Sequence, residues 1–123
     1  MNYKVYVLKH KGIPFYVGCT YVSLKRRLQA HLDRHSKNTL VREFVEACGK
    51  EDISIHVLVG TNVKSFAEEA EERYIRYFNT YEDGCNLTPT GKGRVGNRTL
   101  PEKSLDRMRE LEEYKQQQYE SRK

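Results

Sequence analysis

The groups of this chain whose types and spacing could do chemistry are a carboxylate, a guanidinium–imidazole pair, two phenols and an amide. The segment Ser65 to Asn79 (SFAEEAEERYIRYFN) has the periodicity of one helix. At about 100° per residue, Phe66, Ala67, Ala70, Tyr74, Ile75, Tyr77 and Phe78 share one half of its wheel, while Glu68, Glu69, Glu72, Arg73 and Arg76 share the other. Glu71 falls in the apolar half, between Phe78 and Ile75. A buried carboxylate is costly unless it is ion-paired or holds a metal, so Glu71 reads either as a core-edge ion-pair partner or as a metal ligand. Arg27 and His31 are four apart on a second helical segment and sit one above the other. They follow one edge of a Leu24, Leu28, Leu32 stripe, and Arg26 points away. A solvated helix rim is the ordinary reading of such a pair, and an anion site is the chemical one. Tyr6 and Tyr16 lie in adjacent strand segments and can be cross-strand neighbours, although tyrosine is also a common strand residue. Gly18, inside the second strand, suggests a bulge or a close approach to the backbone. Asn86 follows Gly84-Cys85 in a tight loop, where asparagine often serves local turn chemistry.

The elements that must position these groups are legible. Tyr3 to Lys9 (YKVYVLK) and Phe15 to Cys19 (FYVGC) read as strands joined at His10-Lys11-Gly12 into a hairpin. Pro14 suits the mouth of the second strand. Ser23 can cap a helix running to about Arg34. Thr39 to Cys48 reads as the next helix, ended by Gly49. Ile53 to Val59 (ISIHVLV) alternates as a third strand, the Glu71 helix follows, and Glu82-Asp83-Gly84 turns the chain. This order predicts an α+β fold: a small three-stranded, mainly antiparallel sheet covered by three helices. After Leu87 the composition changes. Thr88 to Thr99 (TPTGKGRVGNRT) reads as a linker, and Pro101 to Tyr119 as a charged helix with a thin Leu105, Met108, Leu111 stripe. The expected organisation is one domain over 1–91 with a basic, Gly-rich linker and charged helix over 92–123.

At 123 residues with 37% hydrophobic and 32% charged residues, the chain can fill a single modest core. No apolar run is long enough to cross a bilayer. The start, MNYKVYVLKH, has no small-residue cleavage site. Cys19, Cys48 and Cys85 are dispersed, which argues against a disulfide framework and a zinc knot and for a reducing, cytoplasmic setting. The net charge of +5 is unevenly spread. Residues 1–50 carry ten Lys/Arg against three Asp/Glu, residues 51–100 six against eight, and residues 101–123 six of each. The positive field therefore belongs to the first half, especially Lys25, Arg26, Arg27, Arg34, Lys37 and Arg42. A one-sided basic surface attracts polyanions, nucleic acid above all. The chain has no Gly-x-x-x-x-Gly-Lys-Ser/Thr loop, no His-Glu-x-x-His helix and no Gly-x-Ser-x-Gly elbow. Asp33 and His35 are two apart and face different ways on a helix.

The order of these residues resembles the GIY-YIG endonuclease family. Lys4-Val5-Tyr6 corresponds to the first half of its signature, with Lys at the Gly position and Val for Ile. Tyr16-Val17-Gly18 corresponds to the second, again with Val for Ile. Leu24-Lys25-Arg26-Arg27 with His31 follows. Ala70-Glu71-Glu72-Arg73-Tyr74-Ile75 is similar to the acidic helix of the family. Gly84-Cys85-Asn86-Leu87-Thr88 is similar to its closing segment, with Cys85 at an aromatic position. The resemblance spans about residues 3–91.

What the resemblance implies is a metal-dependent DNA endonuclease of phage or mobile-element type, acting on double-stranded DNA with one Mg²⁺ (or Mn²⁺) per site. By the same resemblance Tyr6 is the general base for the attacking water, and Tyr16 holds and tunes it. Arg27 stabilises the scissile phosphate, and His31 relays a proton or contacts phosphate. Glu71 binds the metal, Asn86 braces the site, and Gly18 allows close backbone approach. A phenol with an ordinary pKa near ~10 is a poor base, so Arg27 and the metal are expected to lower that of Tyr6. Lys25, Arg26 and Arg34 are candidate DNA contacts. Gly96-Asn97-Arg98-Thr99-Leu100-Pro101-Glu102 resembles the small DNA-contact modules that trail such nucleases, which would add Lys92, Arg94 and Arg98. A catalytically silent nucleic-acid-binding module and a repair or restriction nuclease on the same scaffold are the alternatives. Target site, oligomeric state and strand count of the cut are not legible in the residues.

Overall fold

The computed structural model describes residues 2–33, 37–91 and 100–102. The linker and charged helix expected over 92–123 lie outside the described residues, apart from 100–102, whereas the first helix, expected to run to about Arg34, ends at Leu32, where Asp33 turns extended. The chain runs β1 (Tyr3–His10), β2 (Ile13–Thr20), α1 (Leu24–Leu32), α2 (Thr39–Cys48), β3 (Ile53–Thr61) and α3 (Lys64–Phe78). The architecture is α+β, with a three-stranded sheet in the order β2-β1-β3 and both pairings antiparallel.

The hairpin turns at Lys11 and Gly12, both with positive φ (51° and 81°). That is the twist a two-residue hairpin needs, and Gly12 adopts it without steric cost. Ser23 caps α1 by accepting from the Arg26 N–H. Asn38 caps α2 by accepting from the Val41 N–H at 3.0 Å. Gly49 closes α2 at φ 82°, and Asn79 closes α3 in the left-handed region.

β1 is the central strand and is covered on both faces, which is why VYVL is a continuous apolar run rather than an alternating one. Tyr6 and Leu8 point to one side, where they pack with Phe15, Leu40, Val41, Phe44 and the α1 stripe Leu24, Leu28, Leu32. Phe15 stacks on Phe44 with ring centroids 4.3 Å apart. Val5 and Val7 point to the other side, against Val17, Ala67, Ala70 and Ile75. Helices α1 and α2 thus cover one face and α3 the other. The small Ala67 and Ala70 let α3 approach the sheet closely.

Two expectations about α3 and β2 need correction. Phe66 and Tyr77, on the apolar half of the wheel, are 53% and 78% exposed. A three-stranded sheet is narrower than half a helix circumference, so the flanks of α3 overhang it. Of the two readings of Gly18, the close approach holds and the bulge does not. The β1–β2 register skips Phe15, between the pairs Leu8↔Tyr16 and Lys9↔Pro14. That extra residue puts the consecutive Phe15 and Tyr16 on the same face, where a regular strand would put them on opposite ones. Gly18 sits directly opposite Tyr6, and Tyr16 is its diagonal neighbour. A Cβ at Gly18 would meet the Tyr6 hydroxyl, lie 2.6 Å from Tyr6 Cζ and 2.9 Å from Tyr16 Cε1. The missing side chain is the space in which the two tyrosine rings lie. Gly18→Ala is therefore expected to destabilise the fold by about 1–3 kcal/mol through overpacking, measured by urea denaturation. An unchanged midpoint would show that the rings do not depend on that space.

Candidate active site

The Tyr6 hydroxyl is the node of the site. Tyr6 has no exposed surface. Its oxygen accepts from Arg27 Nε at 3.0 Å and lies 2.7 Å from His31 Nε2. Both partners come from α1, at the four-residue spacing that stacks side chains on one helix face. Arg26, one residue away, is exposed, as the wheel predicts, and Lys25 is exposed beside it. Tyr16 joins from the edge strand β2. Its ring centroid is 6.2 Å from that of Tyr6 and 5.0 Å from the His31 ring, and its hydroxyl hydrogen-bonds Tyr6. Arg27, His31 and Tyr16, but not Tyr6 itself, line a cleft of about 400 Å³ together with Ala30, Asp33, Lys37 and Asn38.

Burial dominates the electrostatics. It pushes the Tyr6 phenol above its ordinary value, and the neighbouring Tyr16 adds to the rise. The hydrogen bond and charge of Arg27 oppose both without reversing them. Tyr6 is therefore a neutral phenol: Arg27 pulls its value down, but by less than burial raises it. His31 moves the other way. Burial first, and the Arg27 charge second, lower its imidazole to about 4. Arg27 remains a cation, because its bond to Tyr6 offsets the cost of burial. At neutral pH the site thus holds a guanidinium, two phenols and an uncharged imidazole whose Nε2 can accept the Tyr6 proton.

Glu71 rises from α3 on the opposite face and acts around the free edge of β2. After burial, its charge is the largest cause that raises both the Tyr16 phenol and the Cys19 thiol. The half-buried carboxylate is closely packed: a Cβ on Gly91 would run into Glu71 Oε1 and lie 2.8 Å from Cδ. Among the described residues no group of three His, Cys, Asp or Glu side chains could hold a metal ion. One carboxylate such as Glu71 suits magnesium or manganese, which are bound through one or two carboxylates, waters and substrate phosphates. It does not suit zinc, which needs several nitrogen or sulfur ligands. The residues present fit Mg²⁺.

Asn86 lies outside the cleft, and its side-chain amide reaches across to β2. Its Oδ1 accepts from the Val17 N–H at 2.9 Å, and its Nδ2 donates to the Val17 carbonyl at 2.8 Å. Beside it the Cys85 N–H donates to the Phe15 carbonyl at 2.7 Å. This segment pairs with the open edge of β2 and fixes the strand that carries Tyr16 and Gly18. Asn38 is a site residue that the sequence reading missed. It caps α2, donates to the Cys85 carbonyl at 3.4 Å and hydrogen-bonds Tyr16. Its position before Thr39, as an N-cap, was the available signal. The candidate DNA contacts Arg34, Lys92, Arg94 and Arg98 lie outside the described residues.

The model of the GIY-YIG catalytic domain matches residues 2–84 of this chain. No curated protein and no solved structure gives a match. The match spans more than half of the chain and includes Tyr6, Tyr16, Arg27, His31 and Glu71, with Asn86 just beyond its end. The chain belongs to the GIY-YIG family, a family of nucleases that act on DNA and generally depend on a divalent metal. No helix among the described residues is long and apolar enough to cross a membrane.

The depressed His31 value has a consequence for folding. Above about pH 6.5 the imidazole is neutral in both the folded and the unfolded chain. Below that the unfolded chain binds a proton that the folded site refuses until about pH 4, so stability falls across this window. The loss reaches about 3 kcal/mol at most. His31→Gln keeps an acceptor for Tyr6 but cannot titrate. Its denaturation midpoint is expected to change less between pH 7 and pH 5 than that of the wild type, and equal changes would place the acid-sensitive group elsewhere.

Proposed function

We propose that this protein is a metal-dependent DNA endonuclease that hydrolyses phosphodiester bonds, with Tyr6 and His31 moving protons, Arg27 binding the scissile phosphate and Glu71 holding one Mg²⁺. The observation that carries this reading is the Tyr6 hydroxyl held between a permanent cation and a neutral imidazole, both of which line a cleft. A buried neutral phenol cannot take a proton from water and keep its own. Its short contact to His31 Nε2 supplies the exit. As Tyr6 accepts the proton of the attacking water, its own proton passes to His31, and no free phenolate has to persist in the core.

Arg27 stabilises that moment in two ways. Its Nε bonds the Tyr6 oxygen and offsets charge that develops there, while its remaining N–H donors are available to the phosphate oxygens at the cleft. Tyr16 fixes the Tyr6 ring and lies between it and the Glu71 carboxylate. A Mg²⁺ ion held by Glu71 would supply Lewis-acid stabilisation to the phosphate and leaving oxygens. Asn86 acts through β2, as a positioning residue for Tyr16. Exposed Lys25 and Arg26, with Lys37 at the cleft, would attract the flanking phosphates.

Glu71→Gln is expected to retain DNA affinity and lose plasmid nicking in Mg²⁺, whereas Tyr6→Phe is expected to slow single-turnover cleavage by the ~10²–10⁴-fold typical of a proton-transfer group. Wild-type nicking should stop with EDTA. Binding without any metal-stimulated cleavage in the wild type would establish the silent binding module instead. Because His31 stays neutral down to about pH 4, kcat/KM should show no acid limb near pH 6.5 and remain level from pH 8 to pH 5. A limb centred on the ordinary histidine value would remove His31 from the relay as described.

A further inference from the structure

β3 is the second edge of the sheet, and among the described residues no strand pairs with its outer side. Exposed edge strands are usually blunted by lysine, proline, a bulge or brevity, because open N–H and C=O groups invite pairing. β3 is nine residues long, and its sequence, ISIHVLVGT, has no charged residue and no proline. Its bulge, at Leu58, faces β1 rather than the open side. Apolar surface flanks that edge on both faces. Val57, opposite Tyr6 on the α1/α2 side, is 54% exposed. On the α3 side a groove of about 370 Å³ runs beside Val59, between the overhanging Phe66, Tyr74 and Tyr77.

We infer that this face joins two copies of the chain, with β3 paired antiparallel to β3 of a second copy across a two-fold axis and the α3 aromatics packed beside it. The charges select the occupant. The groove is rimmed by one acid and one base, Glu69 and Arg73, both exposed and one helical turn apart. A two-fold axis reverses the order of the rim in the partner, so that Glu69 of each copy meets Arg73 of the other, which makes the surface complementary to itself. A polyanion gains nothing from a rim of zero net charge. Leu100 packs on the α1/α2 side, on the face away from the groove. The cleft is lined by residues of β2, α1 and the segment before α2 and by none of β3, so the inference does not depend on the nuclease reading.

Sedimentation velocity of the full chain, at high micromolar concentration and low salt, tests it. The wild type should have twice the 14.5 kDa monomer mass. Glu69→Arg alone and Arg73→Glu alone should each weaken dimerisation at least tenfold, by placing like charges across the axis twice. An equimolar mixture of the two single variants should recover the dimer, as should the double charge swap. Val57→Lys, an exposed substitution at the edge, should be monomeric with an unchanged circular dichroism spectrum. A monomeric wild type, a groove filled by the C-terminal segment, or a dimer indifferent to all of these changes would each overturn the inference. Mass is read without any cleavage, so a failure here and a failure of the proposed chemistry are separate results.

Discussion

One buried hydroxyl organises this protein. The Tyr6 oxygen is carried by the middle of the central strand and has no exposed surface, and a buried hydroxyl without partners costs on the order of 1–3 kcal/mol. Its partners come from α1 and β2, so satisfying that oxygen fixes how the helix lies on the sheet. Gly18 opposite Tyr6, the extra residue at Phe15 and the α1 stripe can all be read as the geometry that this arrangement requires. The same burial that makes the hydroxyl a structural tie also sets its acid–base character.

That character differs from the one the residue list alone suggests. An arginine next to a tyrosine lowers the phenol in isolation, but desolvation of a fully buried ring outweighs a cation that is itself partly screened. The result is a neutral phenol beside a neutral imidazole. Such a pair passes a proton on rather than storing a charge. In this sense the site is a conduit, with Arg27 fixed as a permanent charge at the Tyr6 oxygen.

The sheet separates the groups that must cooperate. Tyr6, Arg27 and His31 are on the α1/α2 face, while Glu71 belongs to α3 on the other. They communicate only because β2 is an edge strand, around which a carboxylate from one face can act on a phenol of the other. Asn86 and Cys85 take up the hydrogen-bonding groups of that edge and so keep it from slipping. The opposite edge, β3, has no equivalent guard among the described residues. The two sides thus differ: basic residues gather at the cleft, while the aromatic groove beside β3 is rimmed by one acid and one base.

Local signals sufficed for much of this. Periodicity located all six described elements, because strand and helix periods differ and Ser23, Gly12 and Gly49 punctuate them. The helical spacing of Arg27 and His31 identified the residue pair that faces inward. Glu71 was visible as a charge out of place on an apolar half-wheel. Three matters were settled only by the fold, since each depends on contacts between residues distant in sequence. The pairing partner of Gly18 determines why it is glycine. The width of the sheet determines which α3 aromatics are buried, and it leaves Phe66 and Tyr77 outside. The depth of Tyr6 and His31 determines their protonation, because desolvation is a property of everything packed around a group and is written in no single stretch of chain.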